Sequence, residues 1–77
     1  QLPEPIAQPS EEDCFLTVEV MRLPQKYREA VLLYYYEAMT TDEIAQALGV
    51  AKSTVSARLE QGRQALRKAL ERRRLHG

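Results

Sequence analysis

TTDEIAQALGVAKSTVSARLEQGRQALRKAL, residues 40–70, decides the fold of this 77-residue chain. Its spacing predicts a short helix, a tight turn at Gly49 and a longer helix that begins near Lys52. Thr40 and Glu43 stand as in a capping box. The hydroxyl accepts from the third helical amide and the carboxylate accepts from the Thr40 amide. Ile44, Ala45 and Leu48 give the first helix one apolar stripe. Gly49 falls where the helix must stop and turn left-handed, a conformation that is free of steric cost only for glycine. Val50 fills the corner. Val55, Leu59, Gly62, Leu66 and Leu70 continue the stripe in steps of three and four. Ala45 is small where two steeply crossed helices must touch. Together these features predict a helix–turn–helix rather than a plain αα-hairpin, within an all-α bundle of four to five helices.

The bulk properties fit one small soluble helical domain with a modest core, at 44% hydrophobic and 29% charged residues. The longest apolar run, Ala30 to Tyr36, falls far short of the roughly 20 residues of a membrane span. No signal-peptide pattern opens the chain, and without an initiator Met it reads as a piece of a longer protein. A formal net charge of zero conceals a division. Residues 1–51 carry three basic and nine acidic side chains, whereas residues 52–77 carry eight basic and two acidic ones. The basic half coincides with the second helix of the motif, as a DNA-binding reading requires.

Cys14 is the single cysteine and His76 the single histidine, so neither an internal disulfide nor a metal site can be built from them. Cys14 is expected as a small apolar core or boundary residue. The lack of a disulfide framework agrees with a reducing cytoplasm. No nucleophile–base pair, phosphate loop or cofactor motif is present, so an enzyme is not expected.

Pro3, Pro5 and Pro9 make residues 1–9 an expected extended linker. Ser10 is a good N-cap for a first helix ending near Met21 or Arg22, with Glu11, Glu12 and Asp13 suiting the positive end of its dipole. Leu23-Pro24 ends that helix and Pro24 opens a second one, about Gln25 to Glu37. The three successive tyrosines, Tyr34 to Tyr36, are expected to pack with their hydroxyls at the rim. Consecutive helical residues point about 100° apart, which opposes a stacking platform. The domain is placed at residues 10–72 and a basic tail at 73–77.

If the motif enters a major groove with the start of its second helix, the outward positions are Lys52, Ser53, Ser56, Ala57, Glu60 and Gln61. Lys52 can reach a guanine edge or a phosphate. Ser53, Thr54 and Ser56 can bond either, Ala57 can offer a methyl contact to thymine, and Gln61 can pair with adenine. Arg58 suits a phosphate, and Glu60 needs a partner such as Arg63. The amides near Thr41 form a second phosphate site. This face is poor in arginine, so modest affinity is expected.

Leu23-Pro24, Arg28-Glu29-Ala30-Val31, Glu43-Ile44-Ala45, Leu48-Gly49-Val50, Ser53-Thr54-Val55, Arg58-Leu59 and Leu66-Arg67 occur in an order that resembles region 4 of bacterial sigma factors of the extracytoplasmic-function group. The resemblance covers about residues 14–70. It implies recognition of the −35 promoter element in double-stranded DNA, docking on the β flap of core RNA polymerase, and a surface that anti-sigma factors cover. It also implies base and phosphate contacts by Lys52, Ser53, Thr54, Ser56 and Ala57, with Arg58 at a commonly basic position and Arg28 at a phosphate-contacting one. Ala51 departs from the capping serine or threonine of many relatives, a loss of about 1 kcal/mol. Ser56, Ala57 and Gln61 are shorter or less basic than in many relatives. Two other readings share parts of this pattern: the output domain of a response regulator, and a helical module that binds only protein.

Overall fold

The computed structural model describes residues 11–76, so the expected linker 1–9 and the Ser10 cap lie outside the described residues. Among the described residues four α-helices follow one another: α1 (Glu11–Arg22), α2 (Gln25–Val31), α3 (Thr41–Leu48) and α4 (Lys52–His76). No strand occurs among the described residues, in keeping with the expected all-α bundle.

The core is formed by Val20 and Leu23, Ala30 and Val31, Ile44, and Val55 and Leu59, one or two residues from each helix region. Ile44 and Val55 are the largest completely buried side chains, and they sit on the two helices of the motif. Ala45, Leu48 and Val50 pack against this core from the turn, as the stripe required. Gly62 is buried where α2 meets α4, and a Cβ there would lie 2.7 Å from Val31 Cγ2. No real Cβ tolerates that separation, so the glycine permits the approach of the two helices. Farther along α4 the buried residue is Ala69, while Leu66 and Leu70 remain half-buried.

The helix expected over Gln25–Glu37 changes character midway. It is α-helical to Val31 and then makes a π-helical turn over Leu32–Tyr36. The Glu37 amide donates to the Leu32 carbonyl at 3.2 Å and the Met39 amide to the Leu33 carbonyl at 3.0 Å. This wide turn absorbs extra chain between two fixed points, Val31 against Gly62 and Thr40 in its cap. It leaves no residue of the π segment buried. Tyr34 and Tyr35 meet edge-on at 4.9 Å, and all three tyrosines are exposed rather than packed. Ala38 closes the segment at φ 55, a left-handed conformation that costs a non-glycine residue about 1 kcal/mol.

Cys14 is exposed, against expectation. The inner line of α1 is Leu16, Val20 and the following Leu23, and a residue at position 14 falls off that line. The arginines at 72–74 continue α4 instead of leaving it. Arg73 pairs with Glu11 at 3.7 Å and places its guanidinium 4.7 Å from the Phe15 ring centroid, tying the far end of α4 to the start of α1.

Candidate nucleic-acid interface

The candidate interface rests on two local devices. Thr40 caps α3: the Glu43 amide donates to Thr40 Oγ1 at 3.1 Å and the Thr40 amide donates to Glu43 Oε1 at 2.8 Å. Gly49 ends α3 at φ 70, ψ 34, and the Val50 amide returns to the Ala45 carbonyl at 3.1 Å. That pairing is a Schellman-type end, with its apolar residue Val50 turned into the core. Nothing lies within 4 Å of a Cβ built on Gly49, so its requirement for glycine is conformational and not steric. α4 then starts without a side-chain cap. The Thr54 and Val55 amides reach the Ala51 carbonyl at 3.0 and 3.2 Å, and the Ala51 methyl can accept nothing.

With Val55 and Leu59 sealed inside, α4 turns Lys52, Ser53, Ser56, Ala57 and Gln61 outward, and all five are exposed. Thr54 and Arg58 are half-buried at the flank. Ser53, Thr54, Ala57, Arg58 and Gln61 line one groove of about 380 Å³. Lys26 and Tyr27, from the first turn of α2, form its other wall. Sequence reading missed both. The available signal was Gly62: α2 approaches α4 at that glycine, where the Tyr27 Cβ lies 4.0 Å from the position of a Cβ, and this brings the first turn of α2 beside the preceding turn of α4.

The other expected contacts are dispersed. Lys52 Nζ lies 3.4 Å from Asp42 Oδ1, joining the start of α4 to the first turn of α3. Both groups are exposed, so the bridge is worth less than about 1 kcal/mol and can open for a phosphate. Ser56 stands on the open face outside the groove, and Thr41 lines a separate hollow with Tyr34 and Met39. Arg28 is half-buried and donates from Nη1 to the Met21 carbonyl at 3.2 Å. There it neutralises the negative end of α1. Glu60 is paired with Arg63 at 3.5 Å and accepts from Gln64, so its charge is partly answered.

Lys26 Nζ sits 5.1 Å from the centroid of the Tyr27 ring, a cation–π contact of about 0.5–1 kcal/mol at an exposed site. Neither Lys26 nor Arg58 has an ion-pair partner among the described residues. No group of three or more potential metal ligands is gathered among the described residues, and none of their helices is long and apolar enough to cross a membrane.

Residues 16–66 match the family model described as Sigma-70, region 4. The chain belongs to the sigma-70 region 4 family. Region 4 is a non-enzymatic module of transcription proteins. Among curated relatives, this domain is 38% identical over 52 residues to the ECF RNA polymerase sigma factor SigW of Bacillus subtilis (strain 168), covering 68% of this chain and 28% of the relative. It is 36% identical over 52 residues to the RNA polymerase sigma factor SigZ of the same organism, covering 68% of this chain and 30% of the relative. It is 38% identical over 79 aligned positions to the RNA polymerase sigma-E factor of Streptomyces antibioticus, covering 97% of this chain and 44% of that protein. The chain thus spans less than half the length of each of these relatives. The family match extends across α2, the π turn, α3 and the groove-lining part of α4, which favours the sigma reading over a response-regulator output domain.

Proposed function

We propose that this domain binds the −35 element of promoter DNA as the region 4 module of an extracytoplasmic-function sigma factor that works with core RNA polymerase in the cytoplasm. The observation that carries this reading is the outer face of α4. It is a polar, cation-flanked edge on a helix whose opposite side is anchored in the core, and it lies directly after a capped helix and a glycine turn. Lys52, Ser53, Thr54, Ser56, Ala57 and Gln61 are the proposed base and phosphate contacts. Arg58 and Arg28, with the amides near Thr41, are proposed to hold the backbone. The β flap of core polymerase is the proposed protein partner, and an anti-sigma factor would compete for the same surfaces. Residues 10–72 are the proposed functional unit.

Selecting duplexes from a randomised pool with this chain tests the reading. A recurrent motif is expected, and in genomic promoters it should fall about 35 base pairs upstream of transcription starts. Selection of no motif, or of one without that spacing, rejects −35 recognition. Retention of this chain on an immobilised β-flap domain tests the polymerase partnership separately.

A further inference from the structure

Lys26 has no place in the contact set derived from the helix–turn–helix itself, yet it forms a wall of the groove that five of those contacts line. Its neighbours there are hydroxyls, an amide and a guanidinium: Ser53, Thr54, Gln61 and Arg58. That chemistry suits a phosphodiester, with hydroxyl and amide donors in the same groove as two cations. Lys26 is exposed and is held over the Tyr27 ring, and no carboxylate lies within ion-pair distance among the described residues. Lys52 differs, because its ammonium is already paired with the Asp42 carboxylate. Arg28 differs too, because the Met21 carbonyl holds its guanidinium.

We infer that Lys26 is a DNA-backbone contact: with Arg58, it clamps one phosphate of the duplex in the groove between the first turn of α2 and the outer face of α4. This inference rests on the reading of the domain as a DNA-binding module and adds to it a second backbone contact from α2, in the groove with Arg58 rather than at the end of α1 where Arg28 stands. A phosphate contact carries no base information, so its signature is uniform loss of affinity and loss of salt dependence.

The test is fluorescence anisotropy of this chain with two probes: 30-base-pair duplexes of random sequence, and the duplexes selected from that pool. Each is titrated over a range of salt concentrations. Lys26→Gln is expected to weaken both by the same factor, about three- to tenfold, and to lower the slope of log K against log salt by about 1. Lys26→Arg is expected to retain affinity and slope, and both variants should melt as the parent does. If Lys26→Gln binds like the parent while Arg58→Gln weakens binding, the clamp is overturned and the DNA-binding reading stands. A changed base preference, or a fall in melting temperature that accounts for the loss, also overturns the phosphate assignment. A parent chain with no salt-dependent duplex binding overturns the DNA-binding reading, and this inference with it.

Discussion

Val55, Leu59 and Gly62 on one side of α4 are sealed against the other helices, whereas Ser53, Ser56, Ala57 and Gln61 on the same turns are exposed. The inner side is constrained by atoms that are already in place, down to the missing Cβ of Gly62. The outer side is touched within the domain only at its margins, by Lys26 and Tyr27 across the groove and by Asp42 at Lys52, and packing leaves its residues largely unconstrained. The core therefore fixes the outer face's position and direction without fixing its residues. Short side chains at 56 and 57 are compatible with the fold because both positions are exposed. Lys26 stands between the two regimes, on a helix placed by the inner side and beside the surface of the outer one.

Substitutions should separate the two faces in order of effect. Gly62→Leu forces side-chain atoms into the space of Val31 and is expected to cost about 3 kcal/mol or to prevent folding. An unaltered denaturation midpoint would show that α2 and α4 are not in close contact there. Val55→Ala removes two methyl groups from a completely buried position, and urea denaturation should register a loss of about 2 kcal/mol. Arg58→Glu should act on the other observable. Duplex affinity is expected to fall about tenfold or more at moderate salt, while the melting temperature moves little. A gel-shift series without change would remove Arg58 from the interface. Gly49→Ala lies between the faces: no clash awaits its Cβ, so only the left-handed backbone is penalised, by about 1 kcal/mol. A cost as large as that of Gly62→Leu would show steric crowding at the turn. Ser56→Ala is the smallest, expected within about 0.5 kcal/mol of the parent in stability. Any larger loss of stability would mean that the open face is not open.

Legibility follows the range of the interaction. Thr40, Glu43 and Gly49 could be read directly, since a cap and a left-handed turn are decided by atoms within a few residues of one another. The inner stripe of α4 could be read as far as Leu66, which packs against the core, but near its end the buried residue is Ala69, because α1 covers α4 there from a direction that periodicity does not specify. The π turn had no local signature. Leu32 to Tyr36 look like helix continued, and only the anchoring of Val31 on Gly62 and of Thr40 in its cap leaves a residue to be absorbed between them. The exposure of the tyrosines follows from that turn, as does the Arg63–Tyr35 hydrogen bond of 3.4 Å between residues 28 apart. The outward placement of the groove-lining residues on α4 was legible from helical periodicity, whereas the opposite wall of Lys26 and Tyr27 was not.

Sequence alone determined the helix–turn–helix, its capped start, its glycine corner and the direction of the basic helix, because caps, turns and helical stripes are written in short spacings. Tertiary structure alone decided that α2 lies against Gly62, that Cys14 and the tyrosines face outward, and that Lys26 shares a groove with Arg58. Those outcomes depend on which distant surfaces exclude water together, and a linear pattern records that a face is apolar without recording what covers it.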